Sequence, residues 1–268
     1  LCYTSGTTGE PKGVLYSNRS MLLHTFFLIA TRPDLFAHNR TILPVVPLFH
    51  ANAWSLPYIT PLTGCKFILP GAKLDGPTLY DLMETEGADA GWGVPTVWLG
   101  LIDEFKKKGR KPRNLRQILS GGSAVPQAMI DTLTRDYDIE VTHGWGMTEM
   151  SPVGTPTVFR PEEQTLPPME RAKLSAKQGR RMFGVDLKII DEQGNRGAHD
   201  GEASGELFVR GSTIVSGYFN NEDASRKQID SEGWFGTGDV AKIQKDGWLL
   251  IVDRTKDLVK SGGEWISS

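Results

Sequence analysis

Residues 116–142 read Arg116-Gln-Ile-Leu119, then Ser120-Gly-Gly-Ser-Ala-Val-Pro126, then Gln127-Ala-Met-Ile-Asp-Thr-Leu-Thr-Arg-Asp-Tyr137, and, after Asp138-Ile139, Glu140-Val-Thr142. A short apolar run, a glycine-rich turn, a stretch with apolar residues at helical spacing and a second short run make one strand–turn–helix–strand unit. Pro126 suits the first turn of that helix, where the N–H it lacks would have no intrahelical partner. The same alternation extends in the N-terminal direction. Residues 41–46 and 65–69 read as further buried strands, and residues 18–31, 79–86 and 96–107 as further helices. Strands alternating with helices predict an α/β fold, a parallel sheet covered by helices. After about Ser151 the texture changes to short β-rich runs at 186–190, 206–209, 240–243 and 248–252. Turns at 191–194 and 245–247 separate them, and Asp246-Gly247 is the stronger hairpin signal. This stretch predicts a small antiparallel β-barrel or sandwich. The organisation expected is residues 1–150 as an α/β part, 151–255 as a β-rich part, and 256–268 as a hinge leading into a further domain.

The chain has 268 residues, enough for about two domains, and a net charge of −2. That balance argues against a broad nucleic-acid surface, which needs excess positive charge. Two cysteines, Cys2 and Cys65, make neither a disulfide framework nor a zinc site. The longest apolar stretch, residues 21–30, is about half a membrane span, and no secretory signal opens the chain. A cytoplasmic protein is expected, with no transmembrane segment and with a homodimer compatible. The chain opens on Leu1 rather than Met, on a strand pattern, and closes as a turn enters another strand. Unpartnered edges of this kind are hazardous in a finished domain. The reading is therefore a fragment, incomplete at both ends.

Tyr3-Thr-Ser-Gly-Thr-Thr-Gly-Glu-Pro-Lys-Gly13 is the strongest local signal. Gly6 and Gly9 let the backbone approach an anion, Thr4, Ser5, Thr7 and Thr8 offer hydroxyls, and Lys12 adds positive charge. It is not a Walker A loop, which from Gly6 would need Gly at 11 and Ser or Thr at 13. A polar hairpin turn is the plain alternative.

This loop resembles the phosphate loop of the acyl-adenylate-forming superfamily, which includes acyl-CoA synthetases, beetle luciferases and peptide-synthetase adenylation domains. The resemblance continues in order along the chain. His143-Gly144-Trp145-Gly146-Met147-Thr148-Glu149 resembles the adenine-contacting motif. Gly205-Glu-Leu-Phe-Val-Arg-Gly211 with Tyr218 matches the following block, and Thr237-Gly238-Asp239 the ribose motif. Asp253-Arg-Thr-Lys-Asp257 followed by Lys260-Ser-Gly-Gly-Glu-Trp265 is similar to the hinge block. Five blocks in one order are specific where any one alone is weak, and the fatty acyl-CoA branch fits best, for medium- or long-chain acids.

The resemblance implies roles residue by residue. Thr148 would contact the α-phosphate and Glu149 would bind Mg²⁺, an oxygen-seeking ion that keeps several waters. Read alone, a Thr-Glu pair is a helix cap followed by a first-turn acid. Trp145 would pack against adenine, although core packing explains an aromatic equally well. Asp239 would accept the ribose hydroxyls and Arg254 would reach ribose or phosphate, yet a lone Thr-Gly-Asp is more often a turn. Gly121, Gly122 and Ser123 would shape the adenine and acyl pockets, and otherwise make a tight strand–helix turn. In Pro47-Leu-Phe-His-Ala-Asn-Ala-Trp54, His50 would lie near the reacting carboxyl and the path of the thiol, and Trp54 resembles a gating aromatic. Lys256 stands at the hinge position, about which a C-terminal domain would rotate between half-reactions. His24, His38 and His199 have no companions at metal spacing and read as structural or exposed.

The chemistry implied is activation of a carboxylic acid by Mg-ATP to an acyl-AMP and pyrophosphate, followed by transfer to coenzyme A. Relatives place a catalytic lysine on the C-terminal domain, so residues 1–268 alone are expected to bind nucleotide weakly and to adenylate poorly. Other readings stay open: a catalytically inactive nucleotide-binding remnant or scaffold, a phosphotransferase releasing ADP, or an adenylation domain for another acid class.

Overall fold

The computed structural model describes residues 1–4, 11–254, 258–261 and 264–267. The chain opens with a hairpin of β1 (Cys2–Thr4) and β2 (Lys12–Val14), in which Thr4 faces Lys12 across the strands. Helix α1 (Asn18–Thr31) follows. Ser17 caps it by accepting the Ser20 N–H while the Ser20 hydroxyl accepts the Ser17 N–H, so two end donors are satisfied at once.

The main sheet then builds by crossover. Strand β3 (Thr41–Pro44) is followed by a left-handed turn α2 (Ala51–Trp54), helix α3 (Leu56–Thr63), β4 (Lys66–Phe67), helix α4 (Gly76–Glu86), β5 (Ala90–Gly93), helix α5 (Pro95–Lys108), β6 (Gln117–Ser120), helix α6 (Gln127–Tyr137) and β7 (Glu140–Gly146). These strands run in the order β4-β3-β5-β6-β7, all parallel, and β8 (Val153–Pro156) adds antiparallel to β7 at the edge. The four helices expected from periodicity are present. Their boundaries carry ordinary signals: the Asp75 carboxylate accepts the Thr78 N–H at the start of α4, and Gly87 and Gly109 end α4 and α5 in the left-handed conformation.

Strand β5 escaped the sequence reading. Its residues, Ala90-Gly-Trp-Gly93, carry no β-branched side chain, so they lack the usual strand signature. Trp98 of α5 packs directly on them: a Cβ on either Gly91 or Gly93 would come within 2.9 Å of its ring. The glycines are the imprint of the helix packed above.

Alternate residues of the sheet feed two cores, as the two-residue strand period requires. Leu43, Ile118 and Val141 pack with Leu79, Met83, Trp98, Phe105 and Ile130 beneath α4, α5 and α6. Their neighbours Ile42 and Leu119 join Trp92, Leu28 of α1 and Met150 on the other face.

After short helices α7 (Pro161–Gln164) and α8 (Pro168–Ser175), the latter packed on α6, the chain forms a second sheet. It comprises β9 (Val185–Ile190), β10 (Ser204–Gly211), β11 (Phe235–Ile243) and β12 (Leu249–Arg254), with helix α9 (Glu222–Gln228) between β10 and β11. The order is β12-β11-β10-β9, antiparallel throughout. The antiparallel unit expected after residue 151 is therefore laid out as a four-stranded sheet. Its inner residues Leu187, Leu207, Val209 and Phe235 enter the same core as Leu28 and Ile42. A last hairpin pairs β13 (Leu258–Ser261) with β14 (Glu264–Ser267).

One buried ion pair ties the helical linker to the second sheet. Arg180 makes two hydrogen bonds to the Glu163 carboxylate, each 2.7 Å, and stacks on Trp248, whose indole N–H also reaches Glu163 at 3.2 Å. Two donors held in one plane against a carboxylate give direction as well as energy.

Candidate active site

Parallel sheets present their loops for binding at the carboxyl ends of the strands. Here those ends carry the glycine-rich turn after β6, the Trp145–Glu149 segment after β7 and the left-handed turn after β3. They line a cleft that is open to solvent. Of the residues expected at the site, His50, Trp54, Gly121, Gly122, Gly144, Trp145, Gly146 and Thr148 line this cleft. Leu28, Trp92 and Leu119 complete an apolar wall. Residues from three separate motifs thus meet in one place.

The glycines are needed there for room. A Cβ on Gly121 would sit 3.2 Å from both the Trp54 ring and the Gly144 carbonyl, and one on Gly146 would run into the Pro152 carbonyl. Ser123 stands exposed beyond the turn. His143 and Ser120 are register partners on β6 and β7, both buried, and neither His143 Nδ1 nor Ser120 Oγ finds a hydrogen-bond partner. Unpartnered polar atoms at a buried strand end are costly, and neither side chain lines the cleft. Burial holds the His143 imidazole below the usual histidine range, so it stays neutral.

Residues 51–55 all have φ between 45 and 68°, and none of them is glycine. Each left-handed residue of this kind costs roughly 1–2 kcal/mol, so the surroundings must hold the turn. Trp54 packs against Trp92 with ring centroids 6.4 Å apart. Asn52 accepts a hydrogen bond from the Cys2 thiol at 3.6 Å. Ser55, beginning α3, donates to the Ser151 carbonyl at 3.1 Å. Buried His24 anchors this last contact. The Val153 N–H donates to its Nε2 at 3.0 Å, which leaves Nδ1 to donate to Ser55 Oγ at 2.9 Å. The structural role expected of His24 is what the geometry gives it. The resulting strained turn places His50, itself exposed, and Trp54 on one wall of the cleft.

Two lines of contact run from the cleft. In the first, the Tyr218 hydroxyl donates to Glu149 Oε1 at 2.7 Å, while Lys12 Nζ lies 4.9 Å from the centre of the Tyr218 ring. The Tyr16 hydroxyl donates to the Thr148 carbonyl at 2.6 Å. Burial and the nearby Glu149 charge raise the Tyr218 hydroxyl well above its ordinary range, so it remains a donor. Tyr16 and Tyr218 were not among the site residues expected from the sequence. Tyr218 stands in a block matched by the resemblance but was given no role there, and Tyr16 had no signal beyond following the glycine-rich loop. In the second line, Trp145 Nε1 donates to Asp239 Oδ2 at 2.9 Å and Arg254 Nε lies 3.5 Å from Asp239 Oδ1. Burial raises the Asp239 carboxyl, with Trp145 and Arg254 opposing that shift.

Of the phosphate-loop candidates, Thr4 and Lys12 are paired across the β1–β2 hairpin. Ser5, Gly6, Thr7, Thr8 and Gly9 lie outside the described residues, as does Lys256. Among the described residues no cluster of three or more acidic, His or Cys side chains forms a metal cage. A single buried carboxylate, Glu149, with one oxygen held by Tyr218 and a lysine nearby, fits a magnesium ion whose other ligands come from a polyphosphate and water.

The AMP-binding enzyme family model matches residues 1–219. The chain belongs to that family. It is 46% identical over its whole length to a 3-methylmercaptopropionyl-CoA ligase of Ruegeria lacuscaerulensis, covering 49% of that protein. It is 47% identical to a medium-chain-fatty-acid–CoA ligase of Ectopseudomonas oleovorans, covering 48%. Among solved structures it resembles an O-succinylbenzoate coenzyme A synthetase of Bacillus subtilis, solved in complex with ATP and a magnesium ion, with a TM-score of 0.82 and 26% identity. That match covers the whole chain and 52% of the synthetase. The chain thus spans about half the length of the curated relatives it matches. Among the described residues, no helix is long and apolar enough to cross a membrane.

Proposed function

We propose that the full-length protein is an AMP-forming acid–thiol ligase that activates a fatty or thioether carboxylic acid with Mg-ATP and transfers it to coenzyme A. The observation that carries this reading is one cleft that joins an apolar wall, Leu28, Trp54, Trp92 and Leu119, to Thr148 and Trp145, with Glu149 and Asp239 immediately behind them. An apolar acid and a nucleotide need such a pair of surfaces within bonding reach.

In the first step a carboxylate oxygen of the acid attacks the α-phosphorus of ATP. The new bond is acyl O–P, the bond that breaks joins the α-phosphorus to the bridging oxygen, and pyrophosphate leaves. In the second, the thiolate sulfur of coenzyme A attacks the acyl carbon and AMP departs. No protein nucleophile takes part, so the chain's contribution is positioning and charge neutralisation. In this reading Lys12, Thr4, Ser5, Gly6, Thr7, Thr8 and Gly9 serve the phosphates, Thr148 the α-phosphate, and Gly121 to Ser123, His143, Gly144, Trp145 and Gly146 the adenine. Asp239 and Arg254 hold the ribose, His50 lies beside the reacting carboxyl, Trp54 gates the acyl space, and Lys256 serves the hinge. A magnesium ion on Glu149 would withdraw charge from the phosphates. Cytoplasmic residence belongs to the same reading, as does assembly into a homodimer.

The test is to incubate the full-length protein with Mg-ATP, coenzyme A and a panel of straight-chain acids plus 3-methylmercaptopropionate. The expected products are AMP, pyrophosphate and one thioester in equal amounts, with Glu149→Gln slower by a hundredfold or more, about 3 kcal/mol. ADP with a phosphorylated acceptor would replace this reading by phosphotransfer. Nucleotide binding without turnover would leave a binding scaffold.

A further inference from the structure

Trp145 does more than present a flat ring to the cleft. Its indole N–H is spent on Asp239 Oδ2 at 2.9 Å, although the two residues are 94 positions apart and lie on different sheets. The Asp239 side chain is 11% exposed. Its main-chain N–H donates to Thr237 Oγ1, which in turn donates to the Leu207 carbonyl, so the backbone below the carboxylate is fixed. Only the side-chain torsions are left to set. Arg254 Nε lies 3.5 Å from the other oxygen, Oδ1, on a side chain that is 59% exposed, a looser restraint.

An ionised carboxylate has about four acceptor directions. Trp145 takes one and Arg254 lies near another. Two remain, one on each oxygen, which is the number a vicinal diol requires. We propose that Trp145 is a positioning residue for ribose recognition: by holding Asp239 Oδ2 it aims the carboxylate's free acceptor sites at the two hydroxyls of a ribonucleotide. The inference rests on the nucleotide reading of the cleft and adds a donor role to a residue otherwise expected only to stack.

The two roles separate experimentally, because stacking acts on the base and is blind to the sugar. In the full-length protein, titration calorimetry with AMP, 2′-deoxy-AMP and 3′-deoxy-AMP gives the wild-type preference for the ribonucleotide, expected at about tenfold or more for each hydroxyl, the factor for one hydrogen bond to a charged acceptor. Trp145→Phe keeps an aromatic face and removes the donor. Weaker stacking lowers all three affinities by one common factor, whereas loss of positioning lowers AMP selectively, so the ribo-to-deoxy ratio falls to about one to three. Trp145→Leu, which also lacks a donor, serves as the second variant and should give the same reduced ratio.

A ratio unchanged from wild type in either folded variant overturns the proposal. Wild-type protein that binds none of the three nucleotides overturns the nucleotide reading instead. A measurement on the wild type alone stands beside these: the Trp145 indole N–H, followed by ¹⁵N NMR, should stay protected from exchange when AMP is bound. Exchange that becomes fast on binding would mean the indole leaves Asp239, and the proposal falls.

Discussion

Lowering the pH tests the buried His24 directly. Burial pushes its imidazole from 6.5 down to about 4, with the Val153 carbonyl, 3.1 Å from Nε2, opposing the shift. The neutral ring accepts from Val153 N–H and donates through Nδ1 to Ser55, which donates to Ser151. Protonation would put the ring's second hydrogen on Nε2 and end the bond from the Val153 N–H; the Val153 carbonyl would accept that hydrogen, but the charge would be buried. Between pH 6.5 and 4 the unfolded chain therefore binds a proton that the folded chain refuses, so stability is full above 6.5 and lost as pH falls toward 4. A difference of about 2.5 units corresponds to about 3 kcal/mol over the window, at a slope near 1.4 kcal/mol per pH unit. His143 and His199 are lowered in the same direction, so the His24 share is isolated with His24→Gln. Urea unfolding at pH 7.5, 6.5, 5.5 and 4.5 should show wild-type stability falling across this range, and the variant falling less steeply by about one proton's slope. A direct reading comes from NMR titration of the imidazole protons, where the resonance missing in His24→Gln should hold its neutral position until about pH 4. A midpoint at or above 6 for that resonance, or equal slopes in the two proteins, would refute the reasoning.

Three further outcomes follow from particular contacts. Tyr218→Phe removes the donor to Glu149 and should raise the magnesium concentration needed for half-maximal turnover by about tenfold, while leaving thermal stability within about 1 kcal/mol; an unchanged requirement counts against Tyr218 as the partner of the metal ligand. Glu163→Gln breaks the bidentate pair with buried Arg180 and should cost roughly 3 kcal/mol by urea unfolding, against a change within about 0.5 kcal/mol for Arg226→Ala on the exposed face of α9. Since Arg180 holds the Glu163 carboxyl down at about 2, this contribution is complete above pH 4.5 and disappears as pH falls toward 2. Trp54→Ala should shift the acid preference toward longer chains in a thioester assay, because the ring forms part of the apolar wall; an identical chain-length profile would remove Trp54 from acid selection.

The periodic helices and most parallel strands were legible because each carries its own local signal, apolar residues at helical spacing or a short apolar run. The site motifs were legible for a related reason. Gly121, Gly146, Thr148 and Asp239 belong to short blocks whose residue types suit close approach of a phosphate or a sugar. Strand β5 was not legible, because Gly91 and Gly93 answer to Trp98, a residue of the next helix. The turn at residues 51–55 was not legible either, since nothing in Ala-Asn-Ala-Trp-Ser announces positive φ.

By itself, then, the sequence determined the alternation of strands and helices, the change to antiparallel texture after residue 151 and the order of the family's motifs, all of which depend on neighbours within a few residues. Tertiary structure alone decided how distant side chains divide their few donors and acceptors. His24 meets Ser55 and Val153 only because α1 crosses behind both. Tyr218 reaches Glu149, and Trp145 reaches Asp239, only because the antiparallel sheet shares a core with the parallel one. A hydrogen bond needs two groups within about 3 Å, and for residues some 30 to 130 positions apart that distance is a property of the packed fold.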